Sequence, residues 1–129
     1  MKSLLRKLSL VALPVFLSLT ARGADVKGVL MDKMCSYKAE TRIVPGPRLE
    51  GGIVVAYTHT RQCALMPECQ KSGYGVFTYD QKFLSFDENG NRLALAALKA
   101  TKKDDDLRVQ VTGEIQEDKI KVTSIKWLE

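Results

Sequence analysis

The sequence predicts a mainly β, α+β domain: a small five-stranded OB-like Greek-key barrel with one helix between strands 3 and 4. Three observations carry that expectation. Residues 107–115 (LRVQVTGEI) and 120–127 (IKVTSIKW) alternate apolar and polar side chains around a Gln116-Glu117-Asp118 turn, the pattern of a β-hairpin. Residues 74–80 (YGVFTYD) and 82–86 (KFLSF) are rich in β-formers and make a second hairpin. Between the two, residues 92–99 (RLALAALK) are strong helix formers, with Asn91 as the candidate cap. A general α+β sandwich is the competing arrangement.

The chain of 129 residues opens with Lys2, Arg6 and Lys7, then an apolar run from residue 8 to 19, then small residues at Ala21, Gly23 and Ala24. That is the three-part pattern of a secretory signal peptide. The apolar run is shorter than the roughly 20 residues a spanning helix needs. Residues 1–23 are therefore expected to be removed, leaving a single domain over 24–129 that is periplasmic or secreted and has no membrane span. With the segment go Lys2, Arg6, Lys7 and Arg22, so the formal charge falls from +5 to +1. A near-neutral domain has no electrostatic basis for recruiting nucleic acid.

In the remaining chain, residues 26–31 (VKGVLM) form the first strand, with Gly28 marking a bulge or a close backbone approach. Residues 32–40 turn polar. Pro45-Gly46-Pro47 and Gly51-Gly52 are strong breakers, so residues 41–52 read as loop. Residues 53–57 (IVVAY) are too few for their period to separate strand from helix. Thr58 or Thr60 caps a short helix over 61–66, which would set His59 and Cys63 four apart on one face if it starts early enough. The cysteine-containing segment, irregular or helical, thus falls between strands 1 and 2, where OB folds carry a ligand-facing loop.

The chemistry-bearing residues gather in that insertion: the one histidine, His59, and all three cysteines, Cys35, Cys63 and Cys69. An exported chain matures where disulfides persist, so the first expectation is a bridge among Cys35, Cys63 and Cys69, with Cys35 joined to Cys63 or Cys69 closing the longer loop. Three cysteines leave one thiol over. The alternative is a metal site of Cys35, His59, Cys63 and Cys69, a donor set proper to tetrahedral zinc. With Met34 and Met66 beside the thiols, copper as Cu(I) is the other candidate ion. No Cys-x-x-Cys and no orienting acid accompany Cys63 and His59, so no catalytic residue is assigned and a non-catalytic domain is expected. Tyr74, Phe77 and Tyr79 are candidates for a ligand-binding face, which would make the chain an accessory protein for a small molecule, a metal ion or an envelope protein.

The Asp32-Lys33-Met34-Cys35 cluster, the His59-x-x-x-Cys63 segment, Cys69, Ser72-Gly73-Tyr74, and the closing Val111-Thr112-Gly113 and Ile120-Lys121-Val122-Thr123-Ser124-Ile125 runs occur together. In this combination the chain resembles a family of small exported bacterial domains of unknown function, over roughly residues 25–128. The resemblance implies export and an OB-like fold, and it carries no established activity.

Overall fold

The computed structural model describes residues 23–40 and 50–129. The expected signal segment up to residue 22 and the expected loop at 41–49 lie outside the described residues. Ten elements follow in order: β1 (Ala24–Asp32), α1 (Lys33–Glu40), α2 (Glu50–Thr58), α3 (Arg61–Ala64), α4 (Pro67–Ser72), β2 (Tyr74–Thr78), β3 (Phe83–Phe86), α5 (Glu88–Ala100), β4 (Arg108–Gln116) and β5 (Lys119–Trp127). Among the described residues no helix is long and apolar enough to cross a membrane.

The domain is α+β, and its five strands close on themselves in the order β1-β2-β3-β5-β4. All pairings are antiparallel except β3 with β5. β1 is shared between two ladders: Gly28 to Asp32 face β2, and Ala24 to Val29 face β4. Gly28 sits where both ladders overlap, opposite Thr78 and Val109. A Cβ there would stand 2.3 Å from the Phe77 carbonyl oxygen, so the expected close approach is what requires the glycine.

The last hairpin follows its alternation. Leu107, Val109 and Val111, with Ile120 and Val122, are buried, while Lys119, Lys121 and Thr123 are exposed. Each such buried Val, Leu or Ile contributes roughly 1.5–3 kcal/mol relative to solvent exposure. The second half of β1 and all of β2 do not alternate, because every residue in both is buried. Helices cover the outer face of this part of the sheet, and a strand covered on both faces loses its period-two signature.

Helix α5 starts at Glu88, capped by Asp87 and not by Asn91. Asp87 Oδ1 accepts the Gly90 amide at 2.9 Å and the Val122 amide at 3.1 Å, which fastens the helix start to β5. Two further sequence expectations are corrected. Residues 33–40 are helix α1, and the breaker reading fails at 50–52, where α2 already runs. Gly52 is buried in the helix, with its amide donating to Gln81 Oε1 at 3.1 Å. A Cβ at Gly52 would meet that oxygen at 2.7 Å and the Ala39 carbonyl at 2.8 Å, so close packing, not a turn, explains the glycine.

Candidate metal centre

Asp32 joins β1 to α1. Its backbone pairs with Tyr74 at the end of the β1–β2 ladder, and its Oδ2 accepts the Cys35 amide at 2.8 Å. This is the bond by which a capping side chain satisfies a free donor of the first helical turn. Helix α1 therefore begins at the strand's end, with Cys35 and Ala39, four residues apart, buried on its inner side. A second anchor comes from α4. The Lys33 amide donates to the Gly73 carbonyl at 2.8 Å, and the Met34 amide to Ser72 Oγ at 3.2 Å. Ser72 Oγ also donates to the Cys69 carbonyl at 2.8 Å, so one hydroxyl links the turn of Cys35 to the turn of Cys69.

Cys63 is positioned by α3. Thr60 caps that single turn, its Oγ1 accepting the Cys63 amide at 3.1 Å. The buried Tyr74 hydroxyl donates to the Ala64 carbonyl at 2.7 Å and holds the turn from its other side. His59 precedes the cap, its amide bonded to the Ala56 carbonyl at 3.2 Å where α2 ends. The expectation of His59 and Cys63 on one helix face is corrected: the helix starts at Arg61, and the histidine belongs to the α2–α3 connection.

These anchors bring three chain segments to one place. The Sγ atoms of Cys35, Cys63 and Cys69 all lie within 4.8 Å of one another. So do the ligand atoms of Asp32, Cys35 and His59, and Cys35 belongs to both groups. Asp32 has no exposed surface, Cys69 is 3% exposed, and Cys35 and His59 are each 7% exposed. His59 Nε2 stands 2.8 Å from Asp32 Oδ1. The pair is not aligned as a hydrogen bond, and neither atom has another partner among the described residues.

The expected disulfide is not formed, since Cys35, Cys63 and Cys69 are free. Cys35 Sγ and Cys63 Sγ are 3.8 Å apart, a thiol–thiol contact. A disulfide bond would be about 2.05 Å. Two thiolates on one tetrahedral zinc ion, with bonds of about 2.3 Å, stand about 3.8 Å apart. The sulfur spacing excludes a bonded pair and is compatible both with an ordinary thiol contact and with two ligands of one ion.

Burial and the nearby carboxylate keep Cys35 and Cys69 protonated. Burial pushes the Cys69 thiol up to about 11, and the Asp32 carboxylate adds to the shift. Burial raises Cys35 further still, again helped by Asp32 and by Cys63. Burial and the same carboxylate push the Tyr74 phenol up to about 12. Asp32 itself is raised by burial, but the adjoining His59 ring and Cys35 amide outweigh this and leave its pKa below the ordinary carboxylate value. An ionised carboxylate beside the neutral Cys35 and Cys69 thiols is a poor environment for a thiolate nucleophile at those two positions. It is a good one for a cation, which compensates the buried negative charge and takes the place of the thiol protons.

No family model, curated protein or solved structure matches this chain. The resemblance drawn from its motifs has no counterpart in these comparisons, and the site is read from its geometry alone.

The aromatic candidates separate. Tyr74 and Phe77 are buried, so their rings pack the core, and Tyr79, 47% exposed, alone of the three presents a ring to solvent. Asp32 was not assigned as a site residue by sequence reasoning. The available signal was its place three residues before Cys35, the offset of a helix-capping carboxylate. A cleft of about 570 Å³ lies outside α3, lined by Thr60, Arg61, Gln62, Leu65, Met66 and Asp104, and none of the three thiols lines it.

Proposed function

We propose that this chain is an exported, OB-like domain that binds one thiophilic metal ion, Zn(II) or Cu(I), through Cys35, Cys63 and Cys69. The observation that carries the reading is the mutual approach of the three sulfur atoms to within 4.8 Å, from three separate elements. Three thiols alone suit Cu(I); His59, which groups with Asp32 and Cys35 and not with Cys63 or Cys69, would have to turn toward the sulfurs to complete a four-coordinate zinc site. Asp32 orients this set by capping the Cys35 turn and by its approach to His59. Carboxylates beside a metal's histidine commonly have that role.

The strand order β1-β2-β3-β5-β4, with α5 between β3 and β4, supports the OB assignment. Export rests on the signal-peptide pattern of residues 1–23. The deciding experiment is anaerobic titration of the reduced chain with Zn(II) and, separately, Cu(I), read by native mass. Uptake of one ion per chain, with all three cysteines alkylated after denaturation, is the expected result. A chain that takes up neither ion rejects the reading.

A second reading, of a small-ligand binding module, is favoured by a cleft of about 280 Å³ between α1, β3 and the β4–β5 turn. Lys33, Tyr37, Phe83, Ser85 and Lys119 are among the residues that line it. In OB folds the loops after strands 1 and 4 frame the ligand. Loss of oligosaccharide binding in Tyr37→Ala at unchanged stability would support this reading. An absence of any oligosaccharide binding by the native chain would reject it.

A further inference from the structure

The thiol centre contains a pair positioned for different chemistry. Cys35 Sγ and Cys63 Sγ are 3.8 Å apart, and joining them requires an approach of about 1.8 Å to the bonded distance. Cys63 sits on a single helical turn of four residues and is half-buried, whereas Cys35 and Cys69 are buried. Cys63 is therefore the thiol that a reagent from solvent reaches first, with Cys35 Sγ in contact with its sulfur.

Resting on the metal reading above, we propose that ligation of the ion and formation of a Cys35–Cys63 disulfide exclude one another, so that the centre accepts metal only when reduced. The oxidant is a low-molecular-mass disulfide of the glutathione class. The Cys63 thiolate, its proton lost to solvent, attacks one sulfur of that disulfide. A mixed disulfide forms, and one small thiolate leaves and is protonated. Cys35 Sγ then attacks Cys63 Sγ as its proton passes to the departing small thiolate; the mixed disulfide breaks, and the second small thiol leaves. Two protein thiols and one small disulfide become one protein disulfide and two small thiols, with two electrons passing from the protein to the oxidant. Cys69 remains a thiol, which gives the odd cysteine a place.

The exclusion follows from the ligand count. The bridge takes two of the three sulfurs out of the thiolate form that binds metal. In the other direction, a bound ion occupies the attacking sulfurs and holds them as co-ligands. Cys69, 3% exposed, lies within 4.8 Å of both other sulfurs, and the bridge is assigned to Cys35 and Cys63 by their 3.8 Å contact.

The test uses the reduced full chain. Zn(II) and Cu(I) uptake is measured first, by native mass. Metal-free and metal-loaded samples then meet oxidised glutathione, and the products are alkylated under denaturing conditions and mapped by peptide mass. The metal-free chain should lose two alkylatable thiols, with residues 35 and 63 linked and Cys69 alkylated. With free metal at one hundred times its dissociation constant, that loss should slow by about 100-fold, the factor by which the metal-free fraction falls. The oxidised chain should take up no metal until dithiothreitol is added. Cys63→Ser, at the half-buried position, should fold and form no Cys35–Cys63 bridge. Cys69→Ser should still form the bridge while binding metal more weakly.

Metal uptake with oxidation equally fast in both samples overturns the exclusion and leaves the metal reading standing. A bridge through Cys69, or a glutathione adduct on Cys63 that never resolves, also overturns it. No uptake of either ion by the reduced chain removes the metal reading and this inference together.

Discussion

Asp32 Oδ2 accepts the backbone amide of Cys35 at 2.8 Å from a side chain with no exposed surface. The same carboxylate approaches His59 with its other oxygen. Its pKa in the fold lies below the ordinary value of about 3.9 that it has in the unfolded chain. Between those two values the unfolded state binds more protons than the folded one. The stabilisation is therefore present above the unfolded value and is lost as pH falls through the folded value. Asp32→Asn keeps an oxygen for the Cys35 amide but removes this charge. Urea midpoints measured from pH 6 down to pH 3 should fall less steeply for Asp32→Asn than for the native chain. Asp32→Ala, which also loses the cap, should cost about 1–2 kcal/mol at neutral pH.

Tyr74→Phe tests the support of the Cys63 turn. The substitution removes the 2.7 Å bond to the Ala64 carbonyl and leaves that carbonyl without its donor in a buried setting. A loss of about 1–2 kcal/mol is expected in urea unfolding. Because Ala64 follows Cys63 directly, metal uptake should weaken as well. Unchanged uptake would mean that α3 holds its position without the tyrosine.

Gly28→Ala probes the strand junction. Its Cβ would stand 2.3 Å from the Phe77 carbonyl and 2.8 Å from Val76 Cγ2, and backbone on two ladders cannot yield freely. A destabilisation of about 3 kcal/mol is expected by thermal or urea unfolding.

Cys69→Ser should lower metal affinity by more than the roughly 10- to 100-fold typical of losing a group outside the ligand set. Chelation should lower the melting temperature of the loaded native chain. The stability withdrawn should be about 2.7 kcal/mol for a sample that had free metal at one hundred times its dissociation constant. A chelator without effect on a chain shown to carry metal would place the ion away from the folded core.

The sequence exposed the final hairpin well, because Leu107, Val109, Val111, Ile120 and Val122 are buried on one side only and so keep a period of two. It exposed α5 except for its first turn, where the capping residue proved to be Asp87, whose carboxylate also bonds β5. It did not expose α1 or the start of α2. Gly51-Gly52 carries the local signal of a break, yet Gly52 lies within a helix and is a glycine because Gln81 and Ala39 approach it too closely for any side chain. Residues of β2 and late β1 lost their alternation to cover on both faces.

By itself the sequence determined the two hairpins, the main helix and the identity of every thiol and imidazole, since these follow from local period, propensity and composition. Only the tertiary structure decided that Cys35, Cys63 and Cys69 meet, that Asp32 and His59 meet at Cys35, and that the thiols meet as free neighbours instead of a bonded pair. The physical reason is that their meeting depends on contacts remote in sequence. Asp32 is set by its pairing with Tyr74, the Cys35 turn by Ser72 and Gly73, and the Cys63 turn by the Tyr74 hydroxyl. None of those bonds leaves a periodic trace in the chain, and each exists only once β1 and β2 have paired.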